Sequence, residues 1–173
     1  MAGRGAQASV GLIGPATSVE TVRKALEAAG GGFEWIEGDE AWWADVVLWV
    51  VDVEEGVPDE ERERARAQFS TPRVELTVLI DGIDRIPEDE AFVPDLVELD
   101  IRDLLAETRA KAFIVRGSAR RALEEPQSKW VRTMRYLAER LEPSVKRGPA
   151  VYLGVDGTRG ASLELGETPE AWV

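Results

Sequence analysis

Hydrophobic residues occur along this chain in short blocks separated by longer amphipathic stretches, a pattern that predicts strands alternating with helices. The longest block, residues 44–53, consists mainly of valine, leucine and tryptophan. Such a block is typical of a strand covered on both faces, so we expect it at the centre of a sheet. Residues 33–43 alternate as a half-buried strand does before the chain turns. Further strands are predicted at residues 9–14, 74–81 and 113–117.

The first two helices are predicted from helical spacing and from their end signals. The first ends at a run of glycines, and its apolar positions are Val19, Val22, Ala25, Leu26 and Ala29. The second, residues 57–70, opens with Pro58 and three acidic residues. This is a favourable start, because carboxylates stabilise the positive end of a helix.

Two more helices are predicted at residues 92–112 and 128–142. On one face of the earlier helix we expect Leu96, Leu99, Leu104 and Leu105. Strands that alternate with helices define the predicted fold class, a three-layer α/β fold with a mainly parallel sheet and helices on both faces.

The character of the sequence changes at both ends. Residues 1–8 are predicted to be disordered, and residues 9–142 to form one domain. Residues 143–173 are rich in glycine and turn residues, and we expect a short irregular tail there. Two apolar runs in this tail, 150–155 and 161–165, are candidate edge strands.

Charge and composition exclude several classes of function. The chain carries 33 acidic and 21 basic residues, a formal charge of −12, which repels nucleic acid and anionic membranes. It has no cysteine and no histidine, so disulfides, thiol catalysis and histidine-based metal or acid–base sites are excluded. No run reaches the roughly 18 apolar residues of a membrane span. We expect a cytoplasmic protein without direct nucleic-acid or membrane partners.

The carboxyl ends of parallel strands form the ligand edge of such a sheet. Here those ends carry Gly14, Asp52, Asp81 and Arg116. The third end reads "LTVLIDGIDRI" and the fourth "AFIVRGSARRAL". Together they resemble the guanine-recognition loops of translational GTPases, which read Asn-Lys-x-Asp and Ser-Ala-Leu/Lys.

The resemblance is to the G domain of elongation factor Tu, a translational GTPase with the P-loop NTPase fold. It extends over "ADVVLWVVDVEEGVPDEERERA", "DLVELDIRDLLAE" and "IVRGSARRALE" in the order of that family. The run Arg116-Gly117-Ser118-Ala119 is its most specific part. The resemblance implies a G-domain-like fold and, as cofactor, GTP or GDP with Mg²⁺.

The phosphate loop that this family requires is eroded. Its pattern is G-x-x-x-x-G-K-[ST], in which backbone amides and the lysine hold the phosphates and the hydroxyl holds magnesium. Aligned on Gly14, the second glycine is Val19 and the lysine is Glu20, while Thr21 keeps the hydroxyl. Pro15 also removes one backbone donor from the loop. These changes predict that the triphosphate site is lost.

The guanine loop is kept only in part. By the resemblance, Asp84 corresponds to the aspartate that reads the base, and Ser118 and Ala119 to the second recognition loop. Asp81 and Gly82 replace the asparagine and the lysine. Gly14, Thr21, Asp84, Ser118 and Ala119 are therefore vestigial guanine-nucleotide positions.

Each of these residues also has an ordinary structural explanation. A glutamate such as Glu20 is favourable in the first turn of a helix. Asp81 and Asp84 frame "DGID", a common turn whose aspartates cap the following segment. Without a third carboxylate at useful spacing, a metal site or an acid–base pair is disfavoured.

Tryptophans are concentrated where the family has its effector loop. The segment between Thr21 and the central strand is short and lacks that loop, and it contains Trp35, Trp42 and Trp43. Aromatic residues are enriched at binding hot spots, so these three define a candidate partner surface. The alternative is that they cover the sheet edge and refill the volume of the missing loop.

The function predicted from the sequence is a catalytically inactive pseudo-GTPase domain that binds protein. Its partner would be a factor that recognises elongation factor Tu, engaged through the helices at 93–111 and 127–142, so that the chain is a mimic, decoy or regulatory module. Self-association through the tryptophans and the tail is the second kind of partner. The alternative function is a GTP/GDP-binding protein or weak GTPase with a non-standard phosphate loop. A third is an enzyme of unrelated chemistry that uses Glu20, Asp81 and Asp84.

Overall fold

A computed structural model describes residues 9–70, 75–108 and 110–142. These residues form one five-stranded sheet in which every neighbouring pair is parallel, in the order β2-β1-β3-β4-β5. The strands are β1 Ser9–Ile13, β2 Glu34–Ile36, β3 Val46–Asp52, β4 Glu75–Asp81 and β5 Lys111–Gly117. The predicted parallel sheet is confirmed, and the most apolar strand, β3, lies at its centre.

Five α-helices in the described part of the chain cover the sheet. They are α1 Ala16–Ala28, α2 Asp59–Gln68, α3 Val93–Ala106, α4 Ala119–Glu124 and α5 Lys129–Leu141. Three 3₁₀ turns complete the connections, at Gly38–Trp43, Ile83–Arg85 and Glu88–Glu90. The predicted acidic start of α2 is confirmed, because Pro58 precedes a first turn of three carboxylates.

Two hydrophobic cores lie on opposite faces of the sheet, and β3 contributes to both. Val46, Leu48 and Val50 pack with α1, α4 and α5 on one face. Val47, Trp49 and Val51 pack with α2 and α3 on the other. Every residue of β3 is buried. The predicted three-layer arrangement is therefore confirmed.

The order of the strands places a crevice at their carboxyl ends. Connections run outward from the sheet centre on both sides, so the chain changes direction between β1 and β3, where doubly wound folds bind ligands. The register pairs Asp52 with Asp81, and Asp81 with Gly117. Neighbouring strands lie about 4.8 Å apart, so this register brings two of the predicted strand-end residues, Asp52 and Asp81, together, whereas Arg116 pairs with Asp95 and Glu98 of α3.

The predicted apolar face of α3 is partly wrong. Leu104 and Leu105 are buried, but Leu96 and Leu99 are 56% and 55% exposed. An α-helix turns about 100° per residue, so Leu99 and Leu104 point about 140° apart. The buried residues of the helix are Pro94, Glu98, Ile101, Leu104 and Leu105. A charged residue takes a core position because Arg102 and Arg116 form ion pairs with Glu98.

Both predicted terminal segments, residues 1–8 and 143–173, lie outside the described residues, as do the candidate edge strands at 150–155 and 161–165. The division of the chain at these positions stays a prediction.

Candidate functional site

A cleft of about 280 Å³ opens at the carboxyl ends of the strands. We call it the strand-end cleft, and its lining residues are Pro15, Thr17, Ser18, Thr21, Asp52, Glu55, Asp81, Gly82, Asp84, Arg85, Ser118 and Arg120. Its volume is just below the roughly 300–1,000 Å³ of typical small-molecule sites. The cleft brings together five residues that the sequence selected, namely Thr21, Asp81, Gly82, Asp84 and Ser118.

No extended phosphate loop follows β1. Gly14 has a φ of +148°, and the helix begins only two residues later, at Ala16, with the amide of Val19 donating to the Pro15 carbonyl at 2.9 Å. A Cβ atom at Gly14 would lie 2.6 Å from the Val50 carbonyl oxygen. This glycine is therefore explained by its close approach to β3. The residues that would form the phosphate loop in the resembling family form the first turn of α1 here.

The aligned lysine position does not face the cleft. Glu20 lies in the second turn of α1, not in the first as predicted, and it forms an exposed ion pair with Lys24 at 3.2 Å. It does not line the strand-end cleft. Val19 is buried in the core beside Gly14. The Thr21 hydroxyl lines the cleft but donates to the Thr17 carbonyl at 3.0 Å.

Asp81 stabilises the start of α4. Its Oδ1 accepts a hydrogen bond from the Ala119 amide at 2.9 Å, and the carboxylate also accepts one from the Gly82 amide. Burial raises the pKa of Asp81, and these two donors oppose that shift. The predicted caps of the segment after "DGID" are not present, since neither 3₁₀ turn between β4 and α3 has a side-chain cap among the described residues; Asp81 instead caps a helix 38 residues away in sequence.

The carboxylate of Asp84 forms an ion pair with an arginine. Arg120 Nη2 lies 2.8 Å from Asp84 Oδ2, and Arg121 Nε lies 4.0 Å from the same oxygen. The Asp84 side chain is only 9% exposed. A base-reading aspartate must accept hydrogen bonds from the ligand. Here an acceptor oxygen is already bonded within the chain.

Asp52 is neutralised in the same way. Arg85 forms a short ion pair with Asp52 and a second with Glu54 at 2.9 Å. The other Asp52 oxygen accepts hydrogen bonds from the amides of Glu54 and Glu55 at 2.9 and 3.2 Å. The carboxylate at the end of the central strand is therefore satisfied by the turn that follows it.

Arg85 also explains the glycine in the guanine loop. Gly82 has a φ of +87°, a left-handed conformation that favours glycine. A Cβ atom there would collide with the Arg85 guanidinium, which folds over the glycine backbone. A lysine at Gly82 therefore does not fit unless Arg85 moves.

Ser118 and Ala119 form the start of α4. The Ser118 hydroxyl oxygen accepts a hydrogen bond from the Arg121 amide at 3.3 Å, and the side chain is almost fully buried. Ala119 is fully buried and gives its amide to Asp81. The most specific part of the sequence resemblance thus makes an N-terminal cap, which is an ordinary structural role for serine.

Sequence reasoning missed Arg85 and Arg120, the two cations that line the strand-end cleft. A signal was present, because Arg85 directly follows Asp84 and Arg120 directly follows the Ser118-Ala119 pair. Four carboxylates line the same cleft. An anionic phosphate chain would meet an excess of acidic groups there.

A second cleft of about 260 Å³ lies on the other side of Gly14, next to α2. Arg64 crosses it, bonded to Asp39 at 2.7 Å and stacked 5.2 Å over the Trp42 ring. Glu61 accepts a hydrogen bond from the Trp49 indole at 3.2 Å, and burial raises the pKa of Glu61. This cleft is also bridged by internal contacts.

The predicted tryptophan surface is divided by the sheet. Trp42 is 6% exposed and stacks on Phe69 at 5.5 Å, so its assignment to a partner surface is wrong. Trp35 is half-buried on the opposite face of the sheet and donates to Glu27 at 3.2 Å. Trp43 is 71% exposed. Of the three tryptophans, only Trp43 offers a largely exposed ring.

A different apolar surface lies on α3. Phe92, which precedes the helix, and Leu96 and Leu99 within it are each more than half exposed at helical spacing. We call these three residues the α3 stripe. The pattern predicted leucines on this helix but assigned Leu96 and Leu99 to its buried face. Counting 100° per residue from Ile101 would have separated them.

Neither clusters of metal-ligating side chains nor membrane-spanning helices occur among the described residues. Within that part of the chain, no group of three or more acidic side chains is arranged to hold a metal ion. The helices of residues 9–142, apart from the undescribed positions, are too short or too polar to cross a bilayer.

The strand order and the strand-end cleft define the class of the protein, a doubly wound α/β domain. No protein-family model matches the chain, and no curated protein matches it. Among solved structures, 84 chains match. One is the apo form of translation elongation factor SelB from Methanococcus maripaludis, with 18% identity and a TM-score of 0.49 over 73% of this chain and 33% of that chain. The chain thus spans about a third of that protein's length.

Proposed function

We propose that this protein is a catalytically inactive G-domain-like module that acts by binding another protein. The observation that carries the proposal is the ion pair between Arg120 and Asp84, because it occupies the carboxylate that would read a guanine base. The resemblance to elongation factor Tu assigns Asp84 that role.

The phosphate side of the cleft supports the same proposal. Phosphoryl transfer depends almost entirely on positioning and electrostatic stabilisation of the phosphates. Here the turn after Gly14 is too short to form a phosphate loop, and among the described residues no lysine lines the cleft. Four carboxylates against two arginines leave the lining net acidic, which disfavours a triphosphate.

The α3 stripe is the proposed binding surface. Acidic residues surround it, with Glu88, Asp89 and Glu90 exposed in the turn before α3 and Asp103 exposed near its end. An apolar centre with a charged rim is the usual anatomy of a protein interface. The surrounding charge favours a partner with a basic rim and an apolar pocket.

The identity of the partner class follows from the sequence resemblance. Residues 95–107 and 114–124 resemble elongation factor Tu, and all of α3 except its first two residues lies in the first of these segments. We therefore propose a partner that recognises the G domain of elongation factor Tu, so that the protein acts as a mimic, decoy or regulatory module.

One observation favours the alternative of a non-standard GTP or GDP site. The first turn of α1 has no side-chain cap, and Thr17 and Ser18 line the strand-end cleft beside it. Free amides at a helix start attract anions. Nucleotide titration distinguishes this alternative from the inactive module.

The binding proposal is tested with purified proteins that bind the G domain of elongation factor Tu. We expect calorimetry to detect a complex with at least one of them, and elongation factor Tu to compete for it. Replacing Leu96 and Leu99 by serine should weaken binding at least tenfold, since central apolar anchors dominate interfaces. Trp43→Ser, a change at a 71% exposed apolar residue outside the α3 stripe and outside both resembling segments, is the control. Equal affinity of the stripe variant, or no complex with any protein, would contradict the proposal.

A further inference from the structure

An apolar groove of about 190 Å³ lies between α1, α4 and α5, on the sheet face opposite α3. Its lining includes Ala25, Ala29, Ala122, Leu123, Val131 and Met134. Small alanines on α1 leave space for larger side chains on α4 and α5, and Leu123 remains 38% exposed. The groove therefore offers apolar surface and volume that the described residues do not fill.

A basic surface adjoins this groove on α5. Lys129, Arg132 and Arg135 are all exposed, and Arg135 also lines the groove. Arginines elsewhere pair with carboxylates, as Arg62 does with Asp100. Among residues 9–70, 75–108 and 110–142, none of these three cations is within ion-pair distance of a carboxylate. In a chain with a formal charge of −12, such a basic surface suits an acidic occupant.

We propose that the groove is covered by the chain's own segment 150–155, which reads Ala-Val-Tyr-Leu-Gly-Val. This apolar run lies in the 31 residues, 143–173, that follow the described part of the chain. Its large side chains match the apolar lining. The stretch after it, residues 156–173, carries four carboxylates and one arginine, Arg159, and this net acidic stretch matches the basic surface; the basic residues Lys146 and Arg147 lie before the run.

The length of chain available is sufficient. Val131 and Met134 lie 10 and 7 residues before the end of α5 at Leu141, which is about 10–15 Å along a helix rising 1.5 Å per residue. Residues 142–149 can span up to about 26 Å when extended. The run 150–155 can therefore return along α5 to the groove without any change in the described helices. This inference is independent of the proposed function.

Engineered cysteines test the contact directly, because the 173-residue chain contains no cysteine of its own. In the variant Leu123→Cys with Leu153→Cys, mild oxidation should give an intramolecular disulfide, since docking brings the two Cα atoms within bonding range. Mass spectrometry identifies the link, and its yield should not change on dilution. Leu96→Cys with Leu153→Cys, which places the first thiol on α3, should give no such link.

A second measurement uses variants of the 173-residue chain without cysteine. Leu153→Asp should expose the groove and increase the fluorescence of an apolar-surface dye, whereas Leu163→Asp, the same change in the later apolar run, should not. The proposal is overturned if neither cysteine pair links, if both link equally, or if only disulfide dimers form, which would place a second copy in the groove. Equal dye binding by the two aspartate variants would also overturn it.

Discussion

Arg120 Nη2 lies 2.8 Å from Asp84 Oδ2, and this ion pair joins the turn after β4 to the first turn of α4. The aspartate side chain is nearly buried, whereas that of the arginine is 54% exposed. The pair therefore combines a carboxylate that needs a partner with a cation that water can partly solvate. It fixes the two loops that the resemblance assigns to guanine recognition.

Replacing this arginine should destabilise the fold. Arg120→Ala is expected to lower the free energy of unfolding by about 1–2 kcal/mol, less than for a fully buried pair, because Arg120 is exposed and Arg121 stays near Asp84. Urea unfolding measures the change. Glu124→Ala is the matched control, since it removes only the exposed pair with Arg120 and should cost less than about 0.5 kcal/mol. Equal losses in the two variants would show that Asp84 does not depend on Arg120.

The buried carboxyl of Asp81 should make stability depend on pH. Burial raises the pKa of Asp81 above its ordinary value of 3.8, so the folded protein holds this proton more tightly than the unfolded chain. The stabilisation that Asp81 contributes is then fully present below pH 3.8, the pKa of the unfolded chain. It is lost as the pH rises through the pKa of the folded protein. Asp81→Asn keeps an oxygen acceptor for the Ala119 amide but cannot titrate. The stability of the wild type relative to this variant should therefore fall from acidic to neutral pH.

Asp100 provides a control of opposite sign. Arg62 donates two hydrogen bonds to it, at 3.0 and 2.6 Å, and lowers the pKa of Asp100. Its contribution is present above the unfolded pKa and is lost as the pH falls through the folded one. The wild type should therefore gain stability relative to Asp100→Asn as the pH rises. Urea titrations measure the stability of the wild type relative to each asparagine variant at several pH values. The same pH dependence for both variants would contradict the opposite pKa shifts of Asp81 and Asp100.

The two sides of α3 should respond differently to the same substitution. Leu105→Ala is expected to cost about 3–5 kcal/mol, because this side chain is 1% exposed and leaves a cavity. Leu99→Ala should change the free energy of unfolding by less than about 0.5 kcal/mol, because Leu99 is mostly in solvent. Chemical unfolding compares the variants. A cost at Leu99 close to that at Leu105 would mean that this part of the α3 stripe is covered.

The adjacent tryptophans provide a second matched pair. Trp42→Ala should cost about 3–5 kcal/mol, since the ring packs against Trp49 and Phe69. Trp43→Ala should remain within about 0.5 kcal/mol of the wild type. Thermal unfolding of both variants tests whether Trp42 is buried and Trp43 is exposed. Comparable losses would imply that Trp43 is buried against another part of the chain.

The architecture of the sheet could be predicted because its signals are local. The apolar block of β3 indicates burial on both faces, and the alternation of strands and helices indicates parallel connections. Leu96 and Leu99 were misplaced because a leucine count ignores angle, and because the buried face of α3 contains a glutamate. Glu98 at a core position makes sense only when Arg116, on another element, is beside it.

For a similar reason, the sequence alone could not show how the side chains of the candidate site are paired. Motif comparison identified Asp84 and Glu20 by their positions in an alignment, but the state of a carboxylate depends on its neighbours in space. Arg120 reaches Asp84 from 36 residues away. Glu20 turns away from the cleft because the helix begins earlier than the aligned motif requires.

The central claim, that the strand-end cleft does not hold a guanine nucleotide, is tested most directly by titrating GTP and GDP with Mg²⁺ into the 173-residue protein. We predict no binding heat and no change in Tm, and the same for Glu20→Lys, since residue 20 does not line the cleft. A nucleotide bound at 100 times its Kd would add about 2.7 kcal/mol of stability and raise Tm by about 5–10 °C. A micromolar Kd with such a rise in Tm would contradict the claim.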